Sequence, residues 1–439
     1  MTGPTIRHWE LARVLGKRHQ VTLAAPDANP HAESCFNVVP WRDSNAIELI
    51  ARNDVVCIFG YELQRQPSLA RARHLVVDLY DPFPLENLHM HEAAPLSERY
   101  RIAAHDRSVQ TGLLRAGDVF LCASMRQRDF WIGWLAAAGR INPYVHADDP
   151  NLRRLLKIVP FGLPEEPPRP RERRFRGVVP GIGDNDFVVV WGGGIWNWFD
   201  PLTLIRAAAG TVDTLPSLRV VFPAPASPSR EVLPMRMAQQ AAALADELRL
   251  SGSRVFFGTD WIPYAEMGSV LLEADVGVSL HLESIETEFS FRTRILDYLW
   301  TGLPIIATEG DGMADLVRAE RLGDVVPSGD VEAVGRALVR LGKDVAARKE
   351  AGARSRMVSE RFRWSTVAEP LVRYCNAPYA ASDRDAIRKE PASEPWDGRL
   401  ERPREARRVV SRAAGVLVKE GPRALVDKSL RYVRGRNKT

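Results

Sequence analysis

The sequence predicts an α/β protein made of two Rossmann-like halves facing a cleft. Three observations point there. Short β-branched runs alternate with helical patterns from Ile6 to Pro160, the alternation breaks at a proline- and charge-rich stretch, and it restarts at Phe187. Strands alternating with helices form a parallel sheet covered on both faces. The expected organisation is an N-terminal half at residues 1–162, a linker at 163–180, a C-terminal half with closing helices at 181–376, and a further linker with a basic tail at 377–439.

Element by element, the first half opens on a helix at Ile6–Gly16, where Trp9, Leu11, Val14 and Leu15 lie on one side before a glycine. Strands follow at Val21–Ala25, Val55–Gly60, His74–Leu79, Asp118–Cys122 and Lys157–Pro160, with helices at Leu96–Arg115 and Gln127–Ala138. Leu163 to Phe175 holds four prolines among many charges and reads as a linker. The second half gives strands at Phe187–Trp191, Arg219–Phe222, Arg254–Phe257, Val276–Leu280, Pro304–Thr308 and Gly323–Val326. Its helices are expected at Pro201–Val212, Arg230–Leu248, Arg292–Thr301, Met313–Glu320 and Val331–Gly342. Asp200 is placed as an N-cap with Pro201 at the first helical position. Closing helices are expected at Asp344–Arg361 and Ser365–Cys375, each begun by its own N-cap.

Composition excludes several classes. With 45% hydrophobic and 26% charged residues in 439, the chain is neither disordered throughout nor a rod. Its longest apolar run, Phe187 to Trp196, contains three glycines, whereas a spanning helix needs about 18 or more apolar residues. The four cysteines form no CxxC pair, so a zinc site or disulfide framework is not expected and a reducing cytoplasm is. The net charge of +5 is uneven: residues 401–439 carry 12 Lys/Arg against 4 Asp/Glu, leaving a mildly acidic body.

Two segments carry chemistry. In Trp191-Gly-Gly-Gly-Ile-Trp-Asn197-Trp-Phe-Asp200-Pro201 a strand runs into three glycines before a helix. Such a turn lets a phosphate approach backbone N–H groups at Gly193 and Gly194; the plainer reading is a tight strand-to-helix turn. Asn197 stands where a dinucleotide fingerprint needs its third glycine, and no GxxxxGK[ST] occurs. The second segment, Glu283 to Asp311, follows the strand Val276–Leu280 and so lies beyond a strand's carboxyl end, where α/β folds bind ligands. There Arg292 and Arg294 are placed to neutralise a diphosphate and Asp297 to hold ribose hydroxyls; the plainer reading is a charged surface helix.

Arg294-Ile-Leu-Asp297-Tyr-Leu-Trp-Thr-Gly302-Leu-Pro304-Ile-Ile-Ala-Thr308 resembles the K-x-x-E-Y-x-x-x-G-x-P-V-V signature of family 4 glycosyltransferases, which have the GT-B fold. Gly193-Gly194 resembles that family's glycine turn, and Phe161-Gly162 its domain end. Asp297 takes the place of the signature's second glutamate, Glu288 stands one step from the first, and the family's Arg/Lys pair after the glycine turn is replaced by Ile195 to Asp200. The resemblance implies an enzyme that moves a sugar from a nucleotide-sugar to a saccharide or lipid-linked acceptor with retention of configuration, in cell-surface glycan biosynthesis. It implies no metal and no cofactor. On that pattern the N-terminal half takes the acceptor, with Asp81 and Glu288 as the catalytic carboxylates. Gly193, Gly194, Asn197, Ser290, Arg292, Arg294 and Asp297 bind the donor.

Asp78, Asp81 and Glu86 are expected in a loop that holds acceptor hydroxyls, against the plain reading of a proline-bounded loop. Arg7 or His8 is a candidate for meeting phosphates or acceptor. His89 and His91 alone make no metal site, and Asp184-Asn-Asp186 reads as a solvated turn. Since GT-B chains begin with a strand, an apolar strand is expected upstream of Met1 to pair beside Val21–Ala25. The basic tail, with Val409, Val410 and Val416–Val418 among its charges, is expected at an anionic membrane surface rather than on nucleic acid, since Tyr432 is its only aromatic. A nucleotide-sugar 2-epimerase and an inactive scaffold remain alternatives.

Overall fold

The computed structural model describes residues 3–26, 31–224, 235–259 and 262–389. The N-terminal half runs through α1 (Gly3–Leu15), β1 (Thr22–Ala25), β2 (His31–Ala32), β3 (Asn37–Pro40), α2 (Asp43–Arg52) and β4 (Val55–Phe59). It continues with α3 (Glu62–Arg65), β5 (His74–Asp78), α4 (Phe83–Met90), α5 (Leu96–Ala116) and β6 (Val119–Cys122). It closes on α6 (Met125–Ala137), α7 (Pro143–Asp148) and β7 (Leu156–Ile158).

The C-terminal half follows as β8 (Phe187–Val190), α8 (Pro201–Gly210), β9 (Leu218–Phe222), α9 (Arg236–Glu247), β10 (Val255–Phe257), α10 (Tyr264–Leu271) and β11 (Val276–Ser279). Then come α11 (Ile285–Phe289), α12 (Thr293–Thr301), β12 (Ile305–Thr308), α13 (Gly312–Ala319), β13 (Gly323–Val326) and α14 (Val331–Lys343). The last described helices are α15 (Val345–Ser359), α16 (Trp364–Val367), α17 (Glu369–Asn376) and α18 (Arg384–Lys389).

The C-terminal sheet is all parallel, in the order β10-β9-β8-β11-β12-β13. All four residues of β8, β11 and β12 are buried, as strands covered by helices on both faces require. α14 contributes Val334, Ala337, Leu338 and Leu341 as one stripe against this sheet. Each fully buried Val or Leu stabilises by about 1.5–3 kcal/mol. Successive strands β8, β9 and β10 step to one side and β11, β12 and β13 to the other, so the order reverses between β8 and β11. A crevice opens at such a reversal beyond the strands' carboxyl ends.

The N-terminal strands form two sheets, a parallel β4-β5-β6-β7 and a separate β1-β3-β2. β1 pairs on one side only, to β3, and β4 on one side only, to β5. α1 packs beside both sheets: Trp9 meets Phe36 edge-on at 5.0 Å, and His8 stacks on Phe59 of β4 at 4.3 Å.

Several elements differ from expectation. Residues 78–86 are not all loop: α4 begins at Phe83, because Pro84 sits in the first turn, where its missing N–H costs nothing. The helix expected at Ser365–Cys375 is two, since Pro370 has to occupy the first turn of a new helix, α17. Ser365 lies inside α16 and is not its N-cap; Glu165 accepts from its N–H at 2.8 Å instead. Asp200 and Asp344 do cap their helices, each accepting from the third residue on. α9 begins at Arg236, and the earlier part of the expected Arg230–Leu248 helix lies largely outside the described residues. In the basic tail the sequence predicts helical stretches at Ala406–Lys419 and Ala424–Val433, which lie outside the described residues.

The chain passes between the halves twice, and the two passages touch. Leu163 bridges Arg363, and Trp364 packs on Gly162 so closely that any side chain there would overlap its ring. The returning segment is fixed by a fully buried pair: Arg140 donates to Asp383 through Nε at 2.8 Å and Nη2 at 2.9 Å. Buried Gln127 of α6 donates to Tyr80 O within its own half at 2.9 Å and, across the mouth of the cleft, to Phe289 O at 3.0 Å. Arg126 reaches Gly310 O and Asp315, both at 2.6 Å. Among the described residues, no helix is long and apolar enough to cross a membrane.

Candidate functional site

The β8–β11 reversal collects the chemistry-bearing residues of the C-terminal half. Gly192, Gly193 and Gly194 follow β8 after Trp191. Gly193 has φ +86°, which favours glycine, and nothing would stand within 4 Å of a side chain there, so this backbone lies open. The turn is anchored by Tyr298 of α12, whose hydroxyl accepts from Gly192 N and donates to Val278 O, both at 2.8 Å. Tyr298 is wholly buried, and burial pushes its hydroxyl up to about 12.

Opposite the turn, α12 begins one residue after Arg292. Arg292 is buried and donates through both terminal nitrogens to Glu286, at 3.1 and 2.7 Å, while its Nε has no hydrogen-bond partner. Arg294 is also buried, stacked over Phe199 at 4.0 Å and Trp191 at 4.6 Å. One of its nitrogens donates to Gly194 O at 2.9 Å and another, Nη1, is unpartnered. Among the described residues no carboxylate forms an ion pair with it. Burial, with Arg292 adding repulsion, lowers it to about 10, so it remains a cation at neutral pH. An uncompensated buried cation with an unused N–H is prepared for an anion.

His281, directly after β11, meets Asp311 at 3.0 Å, and Asp311 caps α13 through the N–H groups of Met313 and Ala314. Burial alone would raise the Asp311 carboxyl. The His281 hydrogen bond and charge, Arg292 at 3.7 Å and the Ala314 amide outweigh it and hold the carboxyl low. From the N-terminal half, Asp81 and Glu86 face this cluster. Burial raises both, and at Glu86 the charge of Asp81 and the hydrogen bond to it add to the rise, well above the usual carboxylate range. Glu286 adds its own charge to both.

The structure brings Gly193, Gly194, Arg292 and Arg294 together. It places the other expected residues differently. Glu288 is on the exposed side of α11, and the carboxylate that the helix turns inward is Glu286. Asn197 accepts from Met237 N at 3.3 Å, so its side chain helps to start α9. Ser290 donates to Thr287 O at 3.0 Å and is spent locally. Asp78 is not free for hydroxyls and Arg7 is not free for phosphates: they bind each other at 2.6 and 3.1 Å, and Arg7 also donates to Val159 O and Pro160 O at 2.8 Å. The Asp184–Asp186 turn is partnered by Arg173, Arg176 and Arg219 rather than simply solvated.

Sequence reasoning gave no role to Glu286, His281 or Asp311. Asp311-Gly312 after a strand and before a helix carries an N-cap signal, and His281 stands immediately beyond a strand's end.

Asp297 is half-buried on α12, and burial, partly offset by Arg294, pushes its carboxyl up to about 7. The folded chain therefore holds a proton that the unfolded chain releases near pH 4, and stability falls as pH rises from about 4 to 7. Asp297→Asn removes that loss. Urea unfolding at several pH values should show the variant gaining on the wild type across this window, by on the order of 1–3 kcal/mol at pH 8. A difference independent of pH would show that Asp297 ionises freely.

Residues 228–344 match the family model described as glycosyl transferases group 1, a span that includes Glu286, Arg292, Arg294 and Asp311. No curated protein matches the sequence. Among solved structures, a sucrose-phosphate synthase from Thermosynechococcus elongatus is 16% identical with a TM-score of 0.60, over 85% of this chain and 93% of that one. HepE of Anabaena, solved with UDP and glucose, is 14% identical with a TM-score of 0.58, over 86% and 96%. WaaG, a glycosyltransferase involved in lipopolysaccharide biosynthesis, is 14% identical with a TM-score of 0.54, over 86% and 97%. The fold of this chain is therefore GT-B, the fold of these glycosyltransferases.

Proposed function

We propose that this chain, with its GT-B fold and its match to group 1 glycosyltransferases within the C-terminal half, transfers a sugar from a nucleotide-sugar to a saccharide or lipid-linked acceptor. The observation that carries the reading is the pair of buried arginines with unused N–H groups beside an open glycine turn, at the point where the strand order reverses. A nucleoside diphosphate supplies the charge that Arg294 lacks. Its phosphates lie between Arg294, Arg292 and the Gly193–Gly194 backbone, and Asp297 accepts from the ribose.

In the retaining course implied by the resemblance, the bond from the anomeric carbon to the phosphate oxygen breaks and the acceptor oxygen bonds on the same face. The leaving phosphate oxygen takes the acceptor's proton. The chain's part is to position both substrates and to stabilise charge growing on the diphosphate. The reading needs no metal. Asp81, hydrogen-bonded to Glu86, orients the acceptor hydroxyl.

Thermal stabilisation by a panel of nucleoside diphosphates, followed by transfer assays with the matching nucleotide-sugars, tests this. Stabilisation by one diphosphate and sugar transfer from its nucleotide-sugar are expected. Stabilisation by none rejects the donor site, and an altered nucleotide-sugar released without acceptor rejects transfer in favour of epimerisation.

The same reading places the enzyme at an anionic membrane surface through residues 401–439, which lie outside the described residues and carry a net charge of +8. Each Lys or Arg near such a surface contributes about 1 kcal/mol. The full chain should sediment with phosphatidylserine vesicles at low salt, and a chain ending at residue 400 should not. Equal sedimentation of the two refutes the tail's role.

A further inference from the structure

A second basic site lies away from the crevice, on the outer edge of the N-terminal sheet. A cavity of about 460 Å³ is lined by Met125 and Arg128 of α6, Asn151, Arg153, the whole of β7, and Pro370 and Arg373 of α17. Four of its lining residues, Arg128, Arg153, Lys157 and Arg373, are cations, and none is a carboxylate.

Asp149 and Asp148, in the turn that leads into β7, are already engaged. Asp149 accepts from the backbone N–H groups of Arg153, Arg154 and Leu155 at 2.7–2.9 Å. Asp148 pairs with Arg154 at 2.7 Å. Arg128 donates to Asn151 O at 2.6 Å, which leaves its charge unbalanced. Arg153, Lys157 and Arg373 have no ion-pair partner among the described residues. Lys157 is half-buried, and burial together with repulsion from Arg373 and Arg154 lowers it, against the pull of Asp149.

A solvated basic face costs little, and a single lysine on an edge strand is a common guard against pairing with other chains. Four cations around a concavity, two of them half-buried, exceed that need. Arg128 and Met125 also sit on the first turn of α6, so the positive end of that helix adds to the field.

We propose that this cavity binds a diphosphate group, a second anion site separate from the Arg292–Arg294 crevice. Its size exceeds one phosphate, and its cations come from three separate elements, which suits two linked phosphates better than one. The diphosphate comes either from a soluble phosphorylated saccharide or from the head of a polyprenyl diphosphate in a bilayer.

The test uses the full chain and inorganic pyrophosphate, titrated by calorimetry into the wild type, Arg153→Ala/Arg373→Ala and Arg294→Ala. Arg153 and Arg373 are exposed, so the double variant should fold, which its thermal transition checks. Removing two charged donors should weaken pyrophosphate binding at least about tenfold, and Arg294→Ala should keep a pyrophosphate site of wild-type affinity. That last variant separates this proposal from the donor reading. Unchanged affinity in the double variant, or loss of all binding in Arg294→Ala, overturns the proposal.

Sedimentation with vesicles matched in charge, one set bearing farnesyl diphosphate and the other phosphatidylserine, then identifies the source. Selective loss by the double variant on the farnesyl diphosphate vesicles assigns the lipid. Weakened pyrophosphate binding without that loss assigns the soluble ligand.

Discussion

Replacing Arg294 with alanine should lower kcat/KM for sugar transfer by about 10²–10³-fold. Arg294 is buried, forms no ion pair with a carboxylate among the described residues and keeps one N–H unused, so its charge is available to an anion that enters beside Gly194. A charge-assisted hydrogen bond of this kind contributes about 1.5–3 kcal/mol. The loss should fall on the diphosphate: affinity for a nucleoside diphosphate should drop at least about tenfold, while affinity for the corresponding nucleoside stays close to the wild type. Calorimetry with the two ligands measures the difference directly, and equal losses would remove Arg294 from the phosphates. Arg292→Ala should show the same preference but also unpair Glu286, which makes Arg294 the cleaner variant.

Asp383→Ala should destabilise the fold by about 3–5 kcal/mol, because it leaves the Arg140 guanidinium buried without a counter-charge. Both side chains are fully buried, and Asp383 also accepts from Asn142 at 2.8 Å. Arg140 keeps only carbonyl partners, at Leu114 and Gly117. The returning segment that Asp383 anchors should then detach early, and limited proteolysis after residue 376 should become faster along with the lower urea midpoint. A loss below about 1 kcal/mol would mean that those carbonyls suffice.

The C-terminal sheet was legible because its strands are buried on both faces and so appear as unbroken apolar runs, as in Phe187–Val190 and Ile305–Thr308. The N-terminal half was less so. β3 buries only one of its four residues and ends on Pro40, so it shows no unbroken apolar run, and Pro82 and Pro84 imitate a loop although a proline fits a first helical turn. In the site, Arg292 and Arg294 were visible from their place beyond a strand. Glu286 was not distinguished from Glu288, since five residues of α11 give too little periodicity to fix which side faces inward. The engagement of Asn197 with Met237, and of Arg7 with Asp78 seventy-one positions away, depends on chain crossings that no local pattern records.

The paired passages at Leu163 and Arg363 make a hinge with one axis. Two separate connections would constrain the halves at two points and resist rotation; two passages bridged to each other and clamped by Trp364 over Gly162 constrain them at one. Motion that widens the crevice must therefore pivot there, and it breaks the contacts that cross between the halves: Gln127 to Phe289, Arg126 to Gly310 and Asp315, and Phe130 against Phe289 at 4.9 Å. These few contacts hold the two halves together at the mouth, and every one of them is made by a side chain of α6.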